Sequence, residues 1–140
     1  MNTRDIIISK YGEPGAAYQS KFCEIWEVKK EFPWFPANRI FINKDFKIKL
    51  QLAFKNLEAK KLHVEIKTFD GCYNDRAARG INVRSLHAWA MAIDINAAQN
   101  PLGGKVMFSQ PFLQCFRAAG LFCGADWTRK DGMHFALFNG

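Results

Sequence analysis

Two of the three histidines in the chain lie near carboxylates in segments that are otherwise apolar. His87 and Asp94 belong to SLHAWAMAID, and His134 belongs to DGMHF. An ionised carboxylate among Ala, Met and Ile is costly unless it is paired or bound to a metal. Zinc accepts imidazole nitrogen and carboxylate oxygen, and a catalytic zinc site uses three protein ligands and leaves one position for water. We therefore predict a zinc site formed by His87, Asp94 and His134.

Asp131 is the candidate general base, because it lies three residues before His134 and a carboxylate there could accept a proton from water at the site. Spacing alone leaves a purely structural pairing of His87 with Asp94 open. In a regular strand these two side chains would face opposite sides. We therefore expect His87 to lie in a turn before the strand or beyond a bulge. The third histidine, His63, is predicted to be a surface residue.

The elements that must position these residues indicate an α+β fold. Helices are predicted from capping residues and helical apolar spacing over residues 3–10 with Thr3 as cap, 45–61, and 110–119 with Ser109 as cap. Strands are predicted from apolar patterning over residues 63–67, 88–95 and 133–138. The segment FPWFPANR carries two prolines among aromatic residues and is predicted to be an irregular, packed connection. The order lacks the regular alternation of a doubly wound fold, so we expect a mostly antiparallel sheet with flanking helices.

Length and composition predict one compact domain that covers residues 1–140. The 13 Phe and 4 Trp indicate a core in which aromatic side chains dominate. The net charge of +7 favours contact with a polyanion, which could be nucleic acid, anionic lipid or an acidic cell-wall polymer. Nothing beyond this charge favours nucleic acid, so we expect no nucleic-acid partner. The four cysteines form no Cys-x-x-Cys pair and are predicted to be buried free thiols.

The order of these motifs resembles a known family. SLHAWAMAID, followed about forty residues later by DWTRKDGMHF, is similar to the zinc D-alanyl-D-alanine carboxypeptidase and L-alanyl-D-glutamate endopeptidase family. The family pattern is Ser-x-His-x6-Asp and then Asp or Glu-x-x-His. The resemblance extends back to TFDGCYNDRAARG, which is similar to the arginine-bearing loop before the first ligand. It covers about residues 62–136.

The resemblance implies a hedgehog/D,D-peptidase fold with one catalytic Zn²⁺ on the three predicted ligands and Asp131 as base. Arg76 would polarise the scissile carbonyl or bind substrate, and Arg79 is the alternative for that role. Ser85 matches the family serine near the substrate, although a turn or capping hydroxyl is an equally good interpretation. The chain departs from the pattern at Ala90, where the family usually has Gly. A second departure is the run Cys123, Gly124, Ala125, where the family has a Trp-Gly-Gly-like run.

The implied substrates are peptidoglycan stem peptides, and the implied enzyme is a monomer. Compact family members without a wall-binding module resemble bacteriophage lysis enzymes, which favours cleavage between L-Ala and D-Glu during lysis or wall remodelling. The apolar run Ile6 to Ile8 is too short for a signal peptide, and no stretch reaches the length of a membrane span. We therefore expect synthesis in the cytoplasm and action on the wall or periplasm after holin-type release or as a virion component.

Two alternatives remain at this stage. A D,D- or L,D-carboxypeptidase would use the same metal and base to trim the end of the stem peptide. A non-catalytic zinc-binding module of a virion or of a wall-binding protein would keep the fold without hydrolysis. The presence of Asp131 favours an enzyme over the second alternative.

Overall fold

The computed structural model describes residues 1–75 and 83–140 of the chain. Its helices are α1 Thr3–Tyr11, α2 Ala16–Phe22, α3 Val28–Glu31, α4 Lys44–Ala59 and α5 Gln110–Ala118. Its strands are β1 Cys23–Trp26, β2 Ile40–Asn43, β3 Phe69–Gly71, β4 Ala92–Ile95, β5 Phe122–Cys123 and β6 His134–Ala136. Short 3-10 turns cover His63–Glu65, Leu86–Trp89 and Gly124–Asp126.

The strands form two antiparallel sheets. One sheet pairs β1 with β2, and the other has the order β3-β4-β6-β5. Every strand pair in the described residues is antiparallel. The predicted α+β fold with a mostly antiparallel sheet and flanking helices is therefore confirmed. In the larger sheet β4 is central, so its residues have a strand on each side.

Two helices form where the sequence supplies a side-chain cap and one apolar face. The side chain of Asn43 accepts a hydrogen bond from the amide of Phe46 at 2.9 Å and caps α4. The buried face of α4 consists of Phe46, Leu50, Ala53, Phe54 and Leu57. Ser109 caps α5 in the same way through the amide of Phe112. Both helices pack against each other and carry the core that supports the larger sheet.

Aromatic side chains dominate the core, as the composition predicts. The ring of Phe54 is the centre of one cluster, stacked on Trp26 and Phe35 and edge-on to Phe32 and Phe116. Each such pair stabilises the fold by about 0.5–1.5 kcal/mol beyond its buried area. Because the ring of Phe116 also lies 4.2 Å from that of Phe135, which is next to His134 in β6, the cluster extends to the strand that carries this predicted ligand.

Several sequence expectations are corrected. The cap of α1 is Asn2, which forms a reciprocal capping box with Asp5, and not Thr3. The predicted strand over residues 63–67 is wrong, because His63–Glu65 forms a 3-10 turn and the strand begins at Phe69. His63 is half-buried and its ring lies 5.3 Å from that of Trp34, so it is not a fully exposed residue. The apolar run 88–95 is a strand only over its second half.

Other expectations hold. The FPWFPANR segment is an irregular connection between α3 and β2, with Phe32 and Phe35 buried. All four cysteines are buried free thiols. Among the described residues, no helix combines the length and the apolar character needed to cross a membrane.

Candidate metal centre

His87 reaches the site from a 3-10 turn and not from a strand. Ser85 begins this turn, and its hydroxyl accepts a hydrogen bond from the amide of His87 at 3.2 Å. The turn ends at Ala90, whose backbone is left-handed at φ 53° and ψ 37°. This reversal separates His87 from the pleat of β4. It therefore removes the problem that a seven-residue spacing would put His87 and Asp94 on opposite faces.

Asp94 and His134 meet because their strands are paired. In the antiparallel ladder of β4 and β6, Asp94 lies directly opposite His134. Side chains that are directly opposite each other on one face of a sheet are in contact range. The Nδ1 atom of His134 lies 3.5 Å from Oδ1 of Asp94, and Nε2 of His87 lies 3.2 Å from Oδ2 of the same carboxylate.

The donor set fits a zinc ion. The ligand atoms of His87, Asp94 and His134 lie within 4.8 Å of one another. Tetrahedral zinc bonds of 2.0–2.2 Å require ligand atoms about 3.3 Å apart, close to the two separations observed here. Nε2 of His87 and Oδ1 of Asp94 are buried and have no hydrogen-bond partner within the described part of the chain. Buried polar atoms in that state are costly unless something else, such as a metal, binds them.

A backbone carbonyl fixes the tautomer of His87. Its Nδ1 lies 2.7 Å from the carbonyl oxygen of Cys72, which can only accept a hydrogen bond, so Nδ1 carries the proton. The lone pair of Nε2 is then available at the side that faces Asp94. Such an outer partner is the usual arrangement for a histidine that binds a metal.

The electrostatics favour an ionised Asp94. Burial raises the pKa of this carboxyl, but the imidazoles of His134 and His87 lower it by more, so the pKa lies below its ordinary value. The side chains of the two histidines are 4% and 7% exposed, whereas that of Asp94 is 15% exposed. Asp94 is therefore the least buried of the three side chains.

Asp131 is held beside the site by backbone hydrogen bonds. Its carbonyl accepts from the amide of His134 at 3.0 Å, and its amide donates to the carbonyl of Gly124 at 3.0 Å. Gly124 packs so closely that a Cβ there would lie 2.3 Å from the carbonyl oxygen of Asp131 and 3.1 Å from Cβ of His134. The turn of the candidate base Asp131 is thus hydrogen-bonded to the first residue of the strand that carries His134.

The remaining predicted site residues have different outcomes. Ser85 is buried and caps the turn of His87, and its contact with substrate stays a prediction. Arg76 and Arg79 lie outside the described residues. Asp75 and Arg84, which lie on either side of residues 76–82, form an ion pair.

Two neighbours of the ligands were not predicted. The Cys72 carbonyl is a backbone group and leaves no signal in the sequence. Trp127 packs on His134 with ring centroids 5.1 Å apart, and only its position within DWTRKDGMHF could have suggested this contact. Sequence reasoning thus named the three residues that the structure brings together but missed the groups that orient them.

Comparison with known proteins gives one family. Residues 79–137 match the model of a family described as D-alanyl-D-alanine carboxypeptidase. No curated protein and no solved structure gave a significant match. The matched segment contains all three candidate ligands and Asp131. The chain is therefore similar to this peptidase family over less than half of its length, and within that segment His87, Asp94 and His134 form a possible metal site.

Proposed function

We propose that the protein is a zinc-dependent peptidase that cleaves the stem peptide of bacterial peptidoglycan, at the bond between L-Ala and D-Glu. The observation that carries this proposal is the convergence of His87, Asp94 and His134 on one point, inside the segment that matches a peptidase family. Two imidazoles and one carboxylate are a donor set of hydrolytic zinc sites, in which the fourth position is left for water.

Zinc bound there would supply a Lewis acid that polarises the scissile carbonyl and makes water a stronger acid. The carboxylate of Asp131 accepts the proton of the attacking water and later returns it to the nitrogen of the leaving amine. As a metal ligand Asp94 would be ionised, and it would not compete for that proton. The family resemblance assigns Arg76 to the oxyanion, a role that a fixed cation suits.

The choice of bond rests on a likeness to compact lysis enzymes. The net charge of +7 would favour accumulation on the anionic wall, reached from the cytoplasm by holin-type release or from a virion. The description of the matching family favours a second candidate, a carboxypeptidase that removes the terminal D-Ala. Both activities would use the same metal and the same base.

Mass spectrometry of purified peptidoglycan fragments separates these activities. Wild-type protein loaded with zinc is incubated with the fragments beside Asp131→Asn and Asp126→Asn. Asp126 is the matched control, because it lies five residues away and pairs with Arg117 at the surface. We expect new L-Ala termini with wild type and Asp126→Asn, and a rate lower by about 10²–10⁴-fold with Asp131→Asn.

Other outcomes would change the assignment. Release of one terminal D-Ala would select the carboxypeptidase. Intact fragments in the presence of stoichiometrically bound zinc would refute the peptidase and select a non-catalytic zinc-binding module. Equal rates for Asp131→Asn and wild type would refute the role of Asp131 alone.

A further inference from the structure

The two histidines of the metal centre have different surroundings. His87 is oriented by a hydrogen bond from Nδ1 to the Cys72 carbonyl. His134 faces Asp94 with Nδ1, and its outer atom, Nε2, is buried but meets no hydrogen-bond acceptor among residues 1–75 and 83–140. A metal-binding histidine almost always donates from its outer nitrogen to a carboxylate, carbonyl or water. Within the part of the chain that the structure describes, His134 therefore lacks the usual polar partner.

An aromatic ring is packed against this histidine. The indole of Trp127 lies 5.1 Å from the imidazole of His134 between centroids, at an interplanar angle of 45°. An indole can restrict the rotation of a neighbouring ring, and its face is a weak acceptor for an N–H group. His134 is thus packed against an aromatic ring, whereas His87 is held by a hydrogen bond to a backbone carbonyl.

The position of Trp127 is itself fixed by two hydrogen bonds of its own and by a third that holds its partner Asn139. Its Nε1 donates to Oδ1 of Asn139 at 2.9 Å, and its amide donates to the carbonyl of Gly124 at 3.2 Å. The carbonyl of Asn139 in turn accepts from the hydroxyl of Thr3 at 2.8 Å, which joins it to the first turn of α1. Helix α1 thus supports the ring that rests on a metal ligand, although α1 is remote from the ligands in sequence.

We propose that Trp127 is a positioning residue for His134, which holds the imidazole so that Nδ1 faces Asp94 and the metal. The inference rests on the proposed zinc site and adds to it a determinant of metal affinity. The contact is between two rings and is not a strong hydrogen bond, so Trp127 contributes orientation more than basicity. Loss of the ring should therefore weaken zinc binding even though every ligand atom remains.

The test measures the dissociation constant for Zn²⁺ by competition with a chromophoric chelator. The variants are Trp127→Leu and Trp127→Phe, and the control is Trp34→Leu. Trp34 matches Trp127 closely, because it also packs on a histidine, His63, and also donates from Nε1 to a side chain. Loss of an outer partner typically weakens metal binding by 10–100-fold. We expect a rise of that size for Trp127→Leu, a smaller rise for Trp127→Phe and none for Trp34→Leu.

A value for Trp127→Leu within twofold of wild type would overturn the inference. If wild type itself binds no Zn²⁺, the proposed zinc site fails as well, so the two failures are distinguishable. A second measurement applies if Trp127→Leu does not fold. Co²⁺ should quench the tryptophan emission of wild type and Trp34→Phe, and much less that of Trp127→Phe. Equal quenching in all three proteins would also overturn the inference.

Discussion

Nε2 of His87 and Oδ2 of Asp94 lie 3.2 Å apart, and the chain between them reverses at Ala90 in a left-handed conformation. This conformation costs a residue other than glycine about 1–2 kcal/mol. Ala90 is fully buried, and its amide donates to the carbonyl of His87 at 3.0 Å, so the strained backbone is held by the turn that carries the ligand. The position at which the chain departs from the family pattern is therefore one where glycine would carry no strain.

Substitutions of Ala90 should separate strain from packing. Ala90→Gly relieves about 1–2 kcal/mol of strain, but it loses a buried methyl group worth about 0.8 kcal/mol and adds about 0.5–1 kcal/mol of unfolded-chain entropy. We expect a free energy of unfolding within about 1 kcal/mol of wild type. Ala90→Val adds a β-branched side chain to a filled space and should lose about 1–3 kcal/mol or more. Chemical denaturation measures both, and equal values for the two variants would contradict the left-handed turn.

The pKa of Asp94 predicts an acid-dependent contribution to stability in the metal-free protein. Its folded-state pKa is lowered, so its contribution is present above the unfolded value, about 3.9, and is lost as the pH falls below it. Unfolding of chelator-treated wild type and Asp94→Asn is compared between pH 5 and pH 2.5. We expect the difference in free energy of unfolding to shrink across this range. A difference that grows on acidification would contradict the lowered pKa.

Local patterns were enough to predict the long helices but not the short strands. The cap Ser109 lies next to its helix, and the apolar face of α4 repeats at helical spacing within one segment, so both features are local. By contrast, β1 and β2 are four residues each and are stable only as a pair across an irregular connection, so neither was predicted. Strands of this length carry too little periodicity to be recognised alone.

The wrong strand over residues 63–67 has a specific cause. Side chains from distant parts of the sequence hold this segment by hydrogen bonds, in place of a neighbouring strand. The Glu65 carboxylate accepts from the amide and hydroxyl of Ser109, at 2.9 and 2.5 Å. Asn96 accepts from the amides of Lys67 and Thr68, at 2.7 and 3.1 Å. An alternating apolar pattern cannot reveal partners that are tens of residues away.

The candidate metal ligands could be predicted from the sequence, but the groups that orient them could not. A carboxylate in an apolar run and two nearby histidines are chemical anomalies that the sequence displays directly. The opposition of Asp94 and His134 depends on the pairing of β4 with β6. The Cys72 carbonyl, Trp127 and Asn139 depend on how distant segments pack, which residue spacing does not encode.

The cysteines should be unreactive in the folded protein. Burial raises the pKa of all four thiols and that of Cys123 to about 12, so the reactive thiolate is scarce at neutral pH. The four thiols are those of Cys23, Cys72, Cys115 and Cys123. With a disulfide reagent at pH 8, we expect little reaction before unfolding and four equivalents in denaturant. A thiol that reacts at once in native protein would contradict the buried arrangement.

Gly124→Ala should damage the metal centre without changing a ligand. The new methyl carbon would lie 2.3 Å from the carbonyl oxygen of Asp131 and 3.1 Å from Cβ of His134, and backbone cannot yield as a flexible side chain can. Overpacking of this kind costs about 1–3 kcal/mol of unfolding free energy. The turn that carries the base must shift, so we expect weaker Zn²⁺ binding and slower peptide cleavage as well.

Gly120→Ala is the control that separates instability from displacement. Gly120 follows the end of α5 and has a φ of 83°, so alanine there is also strained. Its nearest contact, however, is the flexible end of the Lys49 side chain. Thermal unfolding, zinc competition and fragment cleavage are measured on both variants. If Gly124 positions the site, both variants lose stability and only Gly124→Ala loses zinc affinity and cleavage rate. Equal zinc affinities for both variants would mean that the 131–134 turn tolerates the methyl group and that the close contact has no part in placing His134.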